Sequence, residues 1–378
     1  MALESVVPHF SNPEAGKVAM RAKNAFQPVS LYPRDGTEEL IELEGRLTQL
    51  TRMNACEVLA FGSGMEAIRE AVELVDLTAG DKAVFGKSLY SQSTRYQEKL
   101  RRRGVTVLNP GIEDTGDFVR VVQENKPKLV YAETVTNTPQ SHVLDIEQLL
   151  DVPLAEDWDP LIILDPTMAT PSQRPLADLL DSTDKRALAV ESGTKNYRLN
   201  TGLLGLAYSK WAPLLDALQI WRRTGGTIPD VSVTRDTLKV LPSQEVFDER
   251  NLNILRNNKS FAEILHHGLR LDSPFLVGHP NLPNHPHHVY ASRHYPIGAS
   301  QCLFITDRRP GQENGEALLE ALWEVRPDQV KLGQSFGFDA TRLWFNESSP
   351  AVRVSCGAKN AEALKSLAAM WAKKLNGL

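Results

Sequence analysis

Cysteine is scarce in this chain of 378 residues. Cys56, Cys302 and Cys356 are far apart, odd in number and never in a CxxC pair. That pattern argues against a disulfide framework and a zinc ribbon, and for a reducing compartment. Long apolar runs are missing too. No stretch approaches the roughly 20 consecutive apolar residues that span a bilayer. The opening "MALESVVPHFSNPEAGK" has no basic segment followed by an apolar core of the kind that directs secretion. A soluble, cytoplasmic protein is therefore expected. Nor is there an excess of positive charge. Forty-two basic residues face 47 acidic ones, a net charge of -5, so the electrostatic footprint of a nucleic-acid-binding protein is absent. The one basic run, "KLRRRG" from Lys99 to Gly104, reads as the solvated end of a helix, where cations suit the dipole.

What is present is ordinary for a globular protein, with 42% hydrophobic and 24% charged residues. The length predicts two or more structural units. Residues 1–45, with Pro8, Pro13, Pro28 and Pro33, read as an N-terminal arm with little core of its own. Over 46–240 short apolar runs alternate with amphipathic stretches. "EVLAFG", "KAVFG", "VTVLN", "KLVYAE", "PLIILD", "RALAVES" and "GLLGLAYS" read as strands, and 64–75 and 91–103 as helices. That alternation predicts an α/β fold with a large, mostly parallel sheet covered on both faces. Over 241–378 the pattern changes to a smaller α+β domain. It holds a long helix ending near Gly268, the loop "HPNLPNHPHH", the strands "QCLFITD" and "AVRVSCG", and a terminal helix.

In an open parallel sheet, ligands bind beyond the carboxyl ends of the strands. Collected there are Ser63-Gly64-Met65 opening a helix, Glu133 and Asn137, Asp165 and Thr167, and Ser192, Thr194 and Lys195. A lysine beside buried strands must be paired, solvated or deprotonated. A lysine, an acid, hydroxyls and a helix N-terminus on one edge match the needs of pyridoxal 5'-phosphate: an amine for covalent attachment, an acid for the pyridine nitrogen and donors for the phosphate. Other readings are weaker. Asp165 could cap the segment after its strand. Ser192-Gly193-Thr194-Lys195 fits S-x-x-K, but S-D-N and K-T-G are missing and the flanks are β-like rather than helical. His285, His287 and His288 are close in sequence but have no acidic or cysteine co-ligand, so no metal is expected.

These segments resemble, in order and through nearly the whole chain, the pyridoxal-phosphate enzymes of cysteine and methionine metabolism. That family includes cystathionine γ-synthase, cystathionine γ-lyase and methionine γ-lyase. The resemblance is carried by "LYPRDGTEELIELE", "FGSGMEAI", "ETVTNTP", "LDPTMATPSQRPL", "ESGTKNY", "HPNLPNHPHH" and "VRVSCGAKNAEAL". It implies fold type I of the pyridoxal-phosphate transferases, with a seven-stranded sheet in the large domain. It implies that Lys195 carries the cofactor and shuttles protons, that Asp165 pairs with the pyridine nitrogen, and that Tyr90 stacks on the ring. Gly64, Met65, Ser192 and Thr194 would hold the phosphate, with Thr167 beside the ring. Tyr32 and Arg34, on the arm, would reach the phosphate of a neighbouring subunit, so a homo-oligomer is expected, a dimer of dimers. Arg353 would clamp the substrate carboxylate, with Asn137 and Ser335 nearby. The implied activity is γ-elimination or γ-replacement on an L-amino acid. Lyase and synthase outcomes, β-elimination and an unusual substrate such as a halogenated amino acid all stay open, with a catalytically silent homologue of the same fold as a remote alternative. The chain also departs from the family: Glu191 stands where His is usual, Pro166 where Asn is usual, and Gln92 where Gly or Cys is usual. "NYRLNTG" lacks the Gly-His-x-Asp that commonly follows the lysine.

Overall fold

A computed structural model describes residues 36–54, 57–309, 315–345 and 350–378. Tyr32, Arg34 and Cys56 lie outside them. Apolar runs too short for helices become seven strands: β1 (Leu59–Phe61), β2 (Lys82–Phe85), β3 (Thr106–Leu108), β4 (Leu129–Glu133), β5 (Leu161–Asp165), β6 (Ala187–Ser192) and β7 (Gly205–Tyr208). Their order across the sheet is β1-β7-β6-β5-β4-β2-β3. Strands β2 to β6 run parallel; β7 runs antiparallel to β6, and β1, antiparallel to β7, returns to the common direction at that edge. Every residue of β4 and β5 is buried, as a sheet covered on both faces requires.

Alternate residues feed two apolar layers, the period of two that a strand imposes. Val130, Ala132, Ile162, Leu164 and Leu206 face one layer, and Tyr131, Ile163, Leu188 and Val190 the other. The first layer also receives Leu40, Leu43, Leu47 and Leu50, from a helix over Glu38–Thr51. Leu40 and Leu43, within the stretch read as an arm, thus join the packed core. The leucine spacing 40, 43, 47, 50 is the helical signal, and the acids interleaved with it mask it. Thr37 caps this helix by accepting from the Leu40 amide at 3.2 Å.

The C-terminal portion builds a second sheet from β8 (Phe275–Gly278), β9 (Leu303–Asp307), β10 (Val330–Leu332), β11 (Thr341–Phe345) and β12 (Ala351–Ser355), in the order β10-β11-β12-β9-β8. The long helix Gln244–Gly268 packs on the terminal helix Ala361–Leu375, with the Phe261 and Trp371 rings 5.1 Å apart. Cys302 and Cys356 are buried and free. Among the described residues no helix is long and apolar enough to cross a membrane.

Candidate active site

Strand register sets the floor of the site. In the β4–β5 pair Glu133 lies opposite Asp165 at the carboxyl ends. Both are buried. Tyr131 donates to Asp165 Oδ2 at 3.1 Å, and the Thr167 amide donates to Oδ1 at 2.9 Å. The Tyr90 amide donates to Glu133 Oε1 at 2.5 Å. Burial raises the pKa of both acids, and the charge of Asp165 adds to the rise at Glu133. Hydrogen bonds from Thr167 and Tyr131 and the positive charge of Lys195 act in the opposite sense on Asp165.

The wall is the turn after β6. Ser192 ends the strand and Gly193–Asn196 forms one helical turn. Gly193 has to be small, because a Cβ there would collide with Leu204 and Leu206. Lys195 Nζ reaches Ser192 Oγ at 3.4 Å and faces the Phe336 ring at 5.5 Å. Burial lowers its pKa first, Arg353 lowers it further, and Asp165 raises it. The lysine is thereby biased toward a neutral, nucleophilic amine. Gly64 opens the helix Gly64–Glu73 so close to Ser192 that a Cβ on it would lie 3.1 Å from Ser192 Cα. The first amides of a helix have no intrahelical acceptor and favour an anion. Thr167 Oγ1 accepts from the Ser192 amide at 2.9 Å, joining the acid and lysine segments. Thr194 Oγ1 already accepts from the Leu204 amide at 3.0 Å, which leaves it less free than the sequence suggests.

Across the cleft, β12 presents Arg353, which is 5% exposed. It donates through Nη1 to Asn137 Oδ1 at 3.0 Å and through Nη2 to the Gln334 carbonyl. Its guanidinium lies 4.9 Å from the Trp344 ring centroid and 5.5 Å from that of Phe336. Among the described residues this buried cation forms no ion pair. Ser335 Oγ donates to Asn200 Oδ1 at 2.7 Å.

The cleft has a volume of about 960 Å³. Its lining includes Lys195, Asp165, Tyr90, Thr167, Gly64, Met65, Ser192, Thr194, Asn137, Ser335 and Arg353, so the described residues singled out in the sequence all meet in one place. Tyr90 stands at the mouth, 41% exposed. Gln334, Phe336, Trp344 and Arg95 also line it and were not singled out. Arg95 follows Ser91 and Gln92, which also line the cleft, by four and three residues on the helix Ser91–Arg102, a signal that helical periodicity offers. The histidine loop lies apart from the cleft. There His285 Nε2 donates to the Gln140 carbonyl at 2.6 Å, and Nδ1 accepts from the His287 amide at 3.1 Å. No group of three or more His, Cys, Asp or Glu among the described residues could hold a metal ion.

The donor set fits pyridoxal phosphate. A buried carboxyl, a separate amine of lowered pKa and a helix N-terminus surround one space, and no ion pair joins the lysine to the acid.

The fold and the family are visible in known proteins. Solved structures superpose over most of the chain at 22% identity. Cystathionine gamma synthase from Xanthomonas oryzae pv. oryzae, in complex with aminoacrylate and cysteine, covers 93% of this chain and 89% of its own, with a TM-score of 0.76. Cystathionine gamma-lyase from yeast covers 92% and 89% at 0.73, and a methionine gamma lyase from Micromonospora echinospora covers 92% and 89% at 0.72. At that identity the likeness shows the fold, fold type I of the pyridoxal-phosphate enzymes. A search among curated proteins finds no match. The model of the Cys/Met metabolism PLP-dependent enzymes matches residues 10–323, and with that match the chain belongs to this family: it is a pyridoxal-phosphate enzyme acting on an amino acid.

Proposed function

We propose that the enzyme breaks or exchanges a bond at the γ-carbon of an L-amino acid, most simply a carbon–sulfur bond. The observation that carries this reading is the convergence of Lys195, Asp165 and Arg353 on one cleft. Pyridoxal phosphate, when bound, supplies the electron sink that acidifies the substrate's α- and β-carbons. Asp165 would keep the cofactor's pyridine nitrogen protonated, Gly64, Met65, Ser192 and Thr194 would hold its phosphate, and the Thr167 amide orients Asp165. Arg353 grips the α-carboxylate with its two-pronged fork, and Asn137 and the Gln334 carbonyl keep that fork in plane.

Lys195 Nζ would remove the α-proton, give it up within the site to return to the free amine, and then remove a β-proton. The γ-substituent leaves with its bonding electron pair and gains a proton, with Tyr90 at the mouth as the nearby donor. Addition of water then releases ammonia and a 2-oxo acid; capture by a second nucleophile gives a replacement product instead. Trp344, Phe336, Met168 and Leu203 give the cleft an apolar flank that suits a thioether chain. On this reading Tyr32 and Arg34, outside the described residues, would reach the phosphate of a neighbouring copy, which requires at least a dimer and fits a dimer of dimers.

The test is a screen of cystathionine, methionine, homocysteine, O-activated homoserines and γ-halogenated amino acids, scoring 2-oxo acid, thiol and ammonia. Release of a γ-substituent with stoichiometric ammonia supports a lyase. Incorporation of an added thiol supports a synthase. Turnover of β-substituted amino acids alone, or amino transfer to a 2-oxo acid alone, would overturn the γ-carbon reading.

A further inference from the structure

The segment after Lys195 has an unusual backbone. Leu199 and Asn200 are consecutive non-glycine residues with left-handed backbones, φ 51° and 60°. That region disfavours any residue with a Cβ, and leucine in particular. Something must hold it there.

The bonds of Asn200 account for it. Its backbone amide donates to the Thr194 carbonyl at 2.7 Å. Its side-chain Nδ2 donates to the carbonyls of Phe336 at 2.9 Å and Gly337 at 3.2 Å. Its Oδ1 accepts from Ser335 Oγ at 2.7 Å. Both side-chain donors and the acceptor are therefore engaged. One amide grips three successive residues of the facing loop, and each of the three touches the site differently. Ser335 lines the cleft. The Phe336 ring centroid lies 5.5 Å from both Lys195 Nζ and the Arg353 guanidinium carbon. Gly337, at φ 76°, passes so near Lys195 that a Cβ on it would lie 3.2 Å from the lysine's Cβ. The residue before them, Gln334, accepts from Arg353.

We infer that Asn200 is a positioning residue, a clamp that fixes the loop 334–337 and through it the spacing between Lys195 and Arg353. The inference rests on reading Arg353 as the carboxylate anchor. Arg250 also holds this loop, donating to the Gly337 carbonyl at 2.7 Å and to Asp339 at 3.1 Å, so removing the Asn200 amide should loosen the loop without unfolding it.

Three variants of the full chain, each loaded with cofactor, separate the clamp from the backbone. Asn200→Gly keeps the left-handed backbone accessible and deletes the amide. Asn200→Asp is isosteric but turns an oxygen toward two carbonyls. Leu199→Gly relaxes the backbone and keeps the amide. The readouts are amide hydrogen exchange over 334–338 without substrate, and KM and kcat with it. The clamp predicts exchange faster by about tenfold in both Asn200 variants, with KM up by about tenfold and kcat changed by less than about threefold. Leu199→Gly should stay within about twofold of wild type in both readouts. Wild-type exchange in Asn200→Gly would overturn the clamp. Faster exchange with unchanged KM would overturn its role in positioning Arg353. Equal changes in Leu199→Gly would assign the effect to the backbone instead. Exchange needs no turnover, so if no γ-substituted amino acid reacts, the clamp is still decided on its own.

Discussion

Tyr197 donates a 2.6 Å hydrogen bond to Glu191 across the turn that carries Lys195. Both residues are fully buried. Glu191 pairs with Leu206 across β6 and β7, and the apolar layer beside them holds Leu206, Tyr197 and Tyr208. The Tyr197 bond offsets only part of the hydration that a carboxylate loses there. Burial, with the charge of Asp165 adding to it, pushes the Glu191 pKa up to about 8. At neutral pH Glu191 is mostly a neutral acid that braces the turn.

That placement predicts a pH-dependent stability. Between the ordinary carboxyl value of 4.5 and about 8, the folded protein holds a proton that the unfolded chain releases. Stability therefore falls as pH rises through this window and levels off above it. Glu191→Gln keeps the shape and removes the ionisation. Its unfolding free energy should match wild type near pH 4 and exceed it increasingly up to pH 8, by a few kcal/mol at most, on the order of the pKa shift, with thermal midpoints diverging in the same sense. Parallel stability curves for the two proteins would show that Glu191 does not titrate in this way.

Why some of this was legible in the sequence and some was not has a physical reason. Asp165 and Lys195 each stand at the end of an apolar strand, and a polar residue at that boundary is conspicuous in one dimension. Arg353 sits within the strand-like "AVRVS", and a buried arginine inside a strand is equally conspicuous. The groups that orient it come from elsewhere: Asn137 lies beyond β4, Gln334 and Phe336 in a loop, and Trp344 on β11. Only tertiary packing joins them. Strand β10 has two exposed residues in three and no apolar run to betray it. Asn200 reads as a loop asparagine until the loop that it grips is in view.

Arg353→Lys tests the carboxylate anchor. Lysine keeps the charge but loses the planar fork that reaches Asn137, the Gln334 carbonyl and a carboxylate together. KM should rise by more than about tenfold, about 1.4 kcal/mol, with kcat affected less. Unchanged saturation would pass the role to Arg95, which lines the same cleft. Arg342 is not a substitute, because its guanidinium sits on the Phe338 ring at 3.4 Å.

Arg34→Ala tests the shared site. If the arm of one copy completes the phosphate pocket of another, the variant should keep its fold and lose affinity for the cofactor, measured by equilibrium dialysis. A monomer with wild-type cofactor affinity and activity would rule out that arrangement.

Lys195→Ala is the most direct test of the mechanism. Alanine is the right replacement on steric grounds: Gly337 packs against the lysine's Cβ and backbone, and alanine preserves that contact while deleting the amine. Asp165 keeps its bonds from Tyr131 and Thr167, and the start of the helix Gly64–Glu73 is untouched. The variant should therefore still bind pyridoxal phosphate, without a covalent link. After borohydride reduction and proteolysis, mass spectrometry of the wild type should find the cofactor on the peptide containing Lys195, and the variant should show none. Turnover should fall by about three orders of magnitude or more, because the variant loses both the attachment point and the base. Cofactor found on a different lysine, or full turnover in the variant, would remove Lys195 from the mechanism and with it the reason for the lowered pKa at this position.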